Sequence, residues 1–251
     1  MKFNLQKESE RVRFVLEKRK LPPMRAAVGF TLDVSGSTQG LYTGGVIQSV
    51  VQQIIPVGLR FDDNGSLDAW TFNNGDSATE IAQATADNYE GFVEREIIRN
   101  SAVPKWGGTD YAPVLQMMLR KYGFLSHGNA QPTGLIKRLF GRSSGSNAET
   151  LGPNSRSGEA VINYFITDGQ NEDKDATYTL LQQCEKAKAN IYFLFIGVGS
   201  QAFPFLERIA KDFGNTGFLN VTDLQKFVDS DDIYEQLLPE ELTGWLKQKQ
   251  S

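Results

Sequence analysis

Asp33, Ser35 and Ser37 stand together in the run Asp33-Val34-Ser35-Gly36-Ser37. One carboxylate and two hydroxyls supply three hard oxygen atoms from five residues, and Gly36 lets the backbone bend sharply between the serines. Hard oxygens suit Mg2+, Ca2+ or Mn2+ and not a thiol-preferring metal. A second cluster, Gly107-Gly108-Thr109-Asp110, frees the backbone at two positions and presents the Thr109 hydroxyl where a helix begins. A third, Thr167-Asp168-Gly169, sets another carboxylate beside a glycine. Taken singly, Asp33, Ser35 or Ser37 reads as a helix N-cap, the favoured use of these residue types. Three converging clusters favour a metal. Asp110 reads as a first-turn charge favoured by the helix dipole.

These clusters need elements to bring them together. Ala26–Val34, Ala160–Asp168 and Asn190–Gly199 are continuous apolar runs of strand length, as expected for strands buried on both faces. Residues 67–72 and 217–221 read as further strands, with Trp70 and Phe72 as core. Helical patterns cover residues 4–20, 42–59, 88–100, 111–122, 175–188, 203–213 and 231–249, the last broken or kinked near Pro239. Strands alternating with helices imply α/β architecture, a doubly wound, mostly parallel sheet with helices on both faces. In such sheets ligands sit beyond the carboxyl ends of the strands, near the switch in strand order. Asp33 and Asp168 both close an apolar strand, so they are expected to meet at one edge.

Residues 1–22 read as an N-terminal helix and residues 23–251 as the main domain. The helix is expected to pack on the domain's flank through Leu5, Val12, Val15 and Leu16. Gly, Ser, Asn and Pro dominate residues 126–159, which read as an exposed, mobile insertion. The apolar and basic patch Leu135–Phe140 within it reads as a loop anchor. The acidic run Asn171, Glu172, Asp173 and Asp175 reads as a solvated face or helix start.

The motif Asp33-x-Ser35-Gly36-Ser37, the Gly-Gly-Thr-Asp turn at 107–110 and the strand ending Thr167-Asp168-Gly169 resemble, in order and placement, the metal-ion-dependent adhesion site of a von Willebrand factor A (vWA) domain. The resemblance spans roughly residues 26–225. It is nearest to bacterial vWA proteins of tellurium-resistance and stress operons, which are cytoplasmic and share the N-terminal helix, the PPMRAAVGFTLDVSGS entry and the Ser/Gly-rich insertion. Carried over by position, it implies a metal site of Asp33, Ser35, Ser37, Thr109 and Asp168. The serines would ligate directly, Thr109 would do so in the ligand-bound form, and the two aspartates would act through water or hydrogen bonds. Neutral hydroxyls leave Mg2+, or alternatively Ca2+ or Mn2+, short of negative charge. The resemblance therefore implies a binding module, not an enzyme, whose metal takes an acidic residue of a partner protein.

Composition narrows the rivals. Lys plus Arg is 26 and Asp plus Glu is 30, a net charge of −4, so no broad positive field exists to hold nucleic acid. The N-terminus has no apolar signal region, no run of about 18 apolar residues exists, and the one cysteine, Cys184, asks for no oxidising compartment. A soluble, cytoplasmic protein is expected. A serine hydrolase lacks a base, since the only histidine, His127, falls in the insertion. A Mg2+-dependent phosphotransferase would want a second acid two residues after Asp33, where Ser35 stands. A metal-free structural scaffold is the other alternative.

Overall fold

A computed structural model describes residues 3–62, 65–75, 77–127 and 149–249. The chain opens with α1 (Leu5–Lys18), capped by the Asn4 side chain, which accepts from the Lys7 amide at 3.0 Å. It runs on through β1 (Ala26–Asp33), a short α2 (Gln39–Thr43), α3 (Val46–Phe61), β2 (Ser66–Phe72) and β3 (Thr79–Thr85). A single wide turn of π-helix, Glu94–Ile98, precedes α4 (Ala112–Tyr122), β4 (Leu125–His127) and β5 (Glu149–Leu151). There follow β6 (Ala160–Thr167), α5 (Lys174–Lys186), β7 (Ile191–Val198), α6 (Pro204–Asp212) and β8 (Thr216–Val221). Three short helices close the chain: α7 (Leu224–Val228), α8 (Ile233–Leu237) and α9 (Glu240–Gln248).

The main sheet has six strands in the order β3-β2-β1-β6-β7-β8. All neighbours pair parallel except β2 with β3. Side chains alternate across it with the period of two that a strand imposes. Ile162, Tyr164, Tyr192 and Leu194 join the core under α1 and α3, whereas Val161, Phe165, Phe193 and Phe195 join the core under α4, α5 and α6. Each fully buried side chain of this kind stabilises the fold by about 1.5–3 kcal/mol. The expected doubly wound α/β sheet is thus what forms.

α1 lies across α3 and buries Val12, Val15 and Leu16. It is also tied to the chain's other end, by Arg11 donating to the Asp231 carbonyl at 2.8 Å and by a Lys18–Glu235 ion pair at 2.8 Å. Trp70 and Phe72 are fully buried, as expected of core residues.

Several local readings are corrected. The helix expected over 42–59 is two helices, broken where Gly45 takes φ 74; only glycine enters that region without strain. The closing helix is broken at Pro239 into α8 and α9, as expected. β3, an antiparallel edge strand, and α7 had not been anticipated.

Of the expected mobile insertion at 126–159, residues 128–148, the Leu135–Phe140 patch included, lie outside the described residues. The rest is built into the fold. β4 and β5 pair antiparallel, Ser155 is buried, and the Arg156 amide donates to the Tyr122 carbonyl.

Cys184 is fully buried on α5, and burial pushes its thiol up to about 12. The thiolate is the reactive form. A thiol reagent such as DTNB is therefore expected to leave the native protein unmodified and to titrate one thiol after denaturation. Fast reaction with the native chain would contradict this packing.

Candidate metal centre

β1 and β6 are neighbours, and the chain leaves them toward opposite sides of the sheet, so the order of strands switches between them. The crevice beyond their carboxyl ends is where this architecture places ligands. Asp33 closes β1, and Asp168 directly follows Thr167 at the end of β6.

The two ends are joined by a continuous hydrogen-bonded network. Ser37 Oγ donates to Asp168 Oδ1 at 2.7 Å and lies 3.2 Å from Ser35 Oγ. Asp33 stands behind them, with Oδ1 accepting from the Ser35 amide at 2.8 Å and Oδ2 accepting from Thr167 Oγ1 at 2.6 Å. Ser35 and Asp33 are each 2% exposed, whereas Ser37 is open to solvent and Asp168 is half-buried.

Thr109 reaches the same rim on a separate loop. The Gly36 amide donates to the Gly107 carbonyl at 2.9 Å, which lays the loop alongside Ser35. Gly107 permits this approach, since a Cβ there would press into the Asn73 and Asn74 side chains. The Glu172 amide donates to the Thr109 carbonyl at 2.9 Å, and Thr109 Oγ1 faces Gly169. Asp33, Ser35, Ser37, Thr109 and Asp168 therefore gather at one crevice, drawn from sites as far apart in sequence as residues 33 and 168.

Electrostatics set this crevice apart. Burial raises the Asp33 carboxyl to about 6, against the lowering pull of its hydrogen bonds to Ser35 and Thr167. Burial also raises Asp168, opposed by the Ser37 hydrogen bond. Among the described residues no lysine or arginine pairs with either carboxylate. The cluster is two desolvated acids without a counter-charge, fronted by two hydroxyls.

A divalent cation fits that donor set. All donors are oxygen, as Mg2+, Mn2+ and Ca2+ require. Adjacent ligands about Mg2+, at about 2.0–2.1 Å from the ion, lie about 2.9 Å apart, and the serine hydroxyls at 3.2 Å are close to that separation. Among the described residues no trio of His, Cys, Asp and Glu gathers to hold a metal, so a softer site has no competing candidate there.

Several supporting residues went unread in the sequence. Tyr42 donates to the Asp33 carbonyl at 2.8 Å, and Tyr111 donates to the Gly169 carbonyl at 2.7 Å. Asp173, read as part of a solvated face or helix start, does stand at the start of α5, and its side chain also accepts from the Tyr111 and Ala112 amides at 3.0 and 2.6 Å, so it caps α4 from another segment. Asp110 accepts from the Gly75 amide at 2.7 Å, clamping the neighbouring loop instead of serving α4 as a first-turn charge. A cavity of about 450 Å3 opens beside Ser37 and Asp168, walled by Leu41, Val46, Val198 and Leu224.

Comparison with known proteins accords with this architecture. The chain is 32% identical over 250 residues to YcbR of Bacillus subtilis (strain 168), covering 98% of this chain and 87% of that one. Among solved structures, the ArnB paralog VWA2 from Sulfolobus acidocaldarius matches with a TM-score of 0.52 at 14% identity, over 84% of this chain. Proximal thread matrix protein 1 from the mussel byssus, described with a zinc-occupied MIDAS motif, gives a TM-score of 0.46 at 14% identity, over 85% of this chain. The chain spans less than half the length of both solved structures, 44% and 48%. The family model for vWA-TerF-like domains, the vWA found in the TerF C terminus, matches residues 25–137 and 151–251. The chain belongs to the vWA-TerF-like family.

Proposed function

We propose that this chain is a metal-dependent protein-binding module, in which Asp33, Ser35, Ser37, Thr109 and Asp168 hold Mg2+ against an acidic residue of a partner. The supporting observation is a pair of carboxylates, Asp33 buried and Asp168 half-buried, that lack a cationic partner among the described residues and stand with two hydroxyls 3.2 Å apart. Ser35 and Ser37 are the direct oxygen donors, with Thr109 joining from the facing loop. Asp33 orients the serine turn through the Ser35 amide, and Asp168 orients the Ser37 hydroxyl. A bound divalent ion would supply a position for an anionic oxygen. Because the direct donors are neutral, that position keeps its pull on a carboxylate. Ca2+ and Mn2+ would meet the same oxygens, and Mg2+ is our choice among them for the close spacing of the hydroxyls.

Binding, not catalysis, is the better use of this geometry. Asp33 is 2% exposed and is held from behind by the Ser35 amide and the Thr167 hydroxyl, which suits an anchor of the serine turn better than a nucleophile open to a phosphoryl group. The TerF name of the family suggests the setting, a cytoplasmic tellurium-resistance or stress-response assembly. Among the described residues, no helix is long and apolar enough to cross a membrane.

The test is thermal unfolding with Mg2+, Mn2+ or Ca2+ against chelator, followed by a pull-down in each condition. An ion held only by the folded chain, at 100 times its Kd, adds about 2.7 kcal/mol, and a domain of this size gains about 2–4 °C per kcal/mol. A rise of roughly 5–10 °C is expected, with partner capture that chelator abolishes. An unchanged melting temperature with every ion, together with chelator-indifferent capture, would leave the metal-free scaffold.

A further inference from the structure

We propose that Trp106 is the positioning residue of this centre: its ring and its left-handed backbone together hold Thr109 against Ser35 and Ser37. The inference rests on the metal reading given above.

Trp106 has φ 67, a region that side chains larger than glycine rarely enter and that costs energy when they do. Gly107 and Gly108 follow immediately and would adopt it freely, yet the left-handed turn falls on the tryptophan. Something specific to Trp106 therefore holds it. Its amide donates to the Val34 carbonyl at 2.6 Å, one residue beyond β1. Its ring meets Tyr42 edge-on, with centroids 5.6 Å apart, and Tyr42 in turn donates to the Asp33 carbonyl at 2.8 Å. The ring thus packs on the side chain that also fixes the end of β1.

The flanks are pinned independently. Upstream, Asn73 Nδ2 donates to the Pro104 carbonyl at 3.1 Å, and Lys105 Nζ donates to the Asn100 and Val103 carbonyls at 2.7 and 2.9 Å. Downstream, Gly36 donates to the Gly107 carbonyl and Glu172 to the Thr109 carbonyl, each at 2.9 Å. The chain reverses between these anchors at Trp106. Relaxing its φ would swing Gly107 away from Gly36 and carry Thr109, three residues on from Trp106, off the rim. The contacts of Trp106 run to the Val34 carbonyl and the Tyr42 ring, so it acts through the loop.

Three variants of the full chain separate ring from backbone: Trp106→Phe keeps a ring, Trp106→Gly removes it but permits φ above zero, and Trp106→Ala removes it and keeps the strain. Each is first checked for folding by thermal unfolding. Two readouts follow, Mg2+ affinity by calorimetry and, without metal, hydrogen exchange of the Gly36 amide by NMR.

Trp106→Phe is expected near the parent. Trp106→Ala is expected to bind Mg2+ about tenfold more weakly than Trp106→Gly, the cost of a left-handed residue with a Cβ. Gly36 exchange should accelerate in the same order. A ring that only filled space would lower the melting temperature and leave Mg2+ affinity and Gly36 exchange at parent values; that result overturns the inference alone. A parent chain that binds no Mg2+ overturns the metal reading and the inference with it.

Discussion

Replacing Ser35 and Ser37 together by alanine is expected to remove the divalent-metal response while leaving the fold in place. Without metal, the two hydroxyls contact each other and Asp168, and the Ser35 side chain also hydrogen-bonds the Asp33 carboxylate. Their loss costs about 0.5–1.5 kcal/mol per hydrogen bond, and Ser37 is open to water, which can replace the donor to Asp168. With metal the loss is larger, because two direct donors leave at once. Removing even a residue behind a metal ligand commonly costs 10–100-fold in affinity. We therefore expect the double variant to bind Mg2+ more than about 100-fold more weakly. At a concentration 100 times the parent's Kd, the metal's stabilisation then falls from about 2.7 to about 0.4 kcal/mol. The melting-temperature rise shrinks to about 1 °C. Thermal unfolding of parent and variant with Mg2+ and with chelator measures this difference. A double variant that keeps the parent's metal response would show that the serines are not ligands.

How much of this centre the sequence discloses depends on how local its chemistry is. Asp33, Ser35, Ser37 and Asp168 are legible because each motif is short and ends a continuous apolar run, and such runs mark strands buried on both faces. Their strands, β1 and β6, prove adjacent at the switch in strand order, so the meeting of the two aspartates follows from topology. The residues that hold the motifs in shape carry no such mark. Tyr42 and Tyr111 act through single hydroxyl contacts to backbone carbonyls, and Asp173 caps a helix belonging to another segment. Nothing in their spacing announces these partners, which for Tyr111 and Asp173 lie 58 and 61 residues away. Trp106 is less legible still, since two following glycines are the ordinary choice for a left-handed turn.

The fold shows the same division. β7 is apolar throughout and reads at once. β3, Thr79–Thr85, buries only Ile81 and Ala84 and is otherwise half-open or exposed, so an edge strand passes for a loop. Its antiparallel pairing to β2 also shifts register between Leu67 and Ala69, which blurs the period-two pattern further. The Ser/Gly-rich composition of 126–159 pointed to a free loop, yet residues 153–158 are held by neighbours. The Asn190 amide donates to the Pro153 carbonyl at 2.7 Å, and the Arg156 amide donates to the Tyr122 carbonyl at 2.6 Å. Composition reports what a segment prefers on its own. It does not report which backbone groups the rest of the protein offers it.

Asp33→Asn should have opposite effects with and without metal. In the metal-free chain Asp33 has a folded-state carboxyl near 6, raised by burial above its ordinary 3.8. The folded state therefore holds this proton more tightly than the unfolded state. By linkage, stability from this group is fully present below about pH 4, declines as pH rises between about 4 and 6, and stays reduced above that. At pH 7.5 the ionised Asp33 thus weighs against the fold by an amount on the order of 1–3 kcal/mol. Asparagine keeps the oxygen that accepts from the Ser35 amide and carries no charge. Its amide group ends the acceptance from Thr167, but the Thr167 hydroxyl has the Gly169 carbonyl within 3.4 Å as an alternative acceptor. The metal-free variant is accordingly expected to melt roughly 2–4 °C above the parent at pH 7.5 and level with it or below it at pH 4. Taking the difference between variant and parent cancels the carboxylates remote from this centre, which titrate alike in both. With Mg2+ the order reverses. The ion competes with the proton at Asp33, so the parent's affinity rises with pH through about 6 and then levels, while the variant lacks the charge that the ion balances. Melting curves from pH 4 to 8, with Mg2+ and with chelator, decide the matter. A variant less stable than the parent in chelator at pH 7.5 would mean that Asp33 is held by its hydrogen bonds more than it is burdened by its charge, and the case for a cation-seeking centre would lose its electrostatic basis.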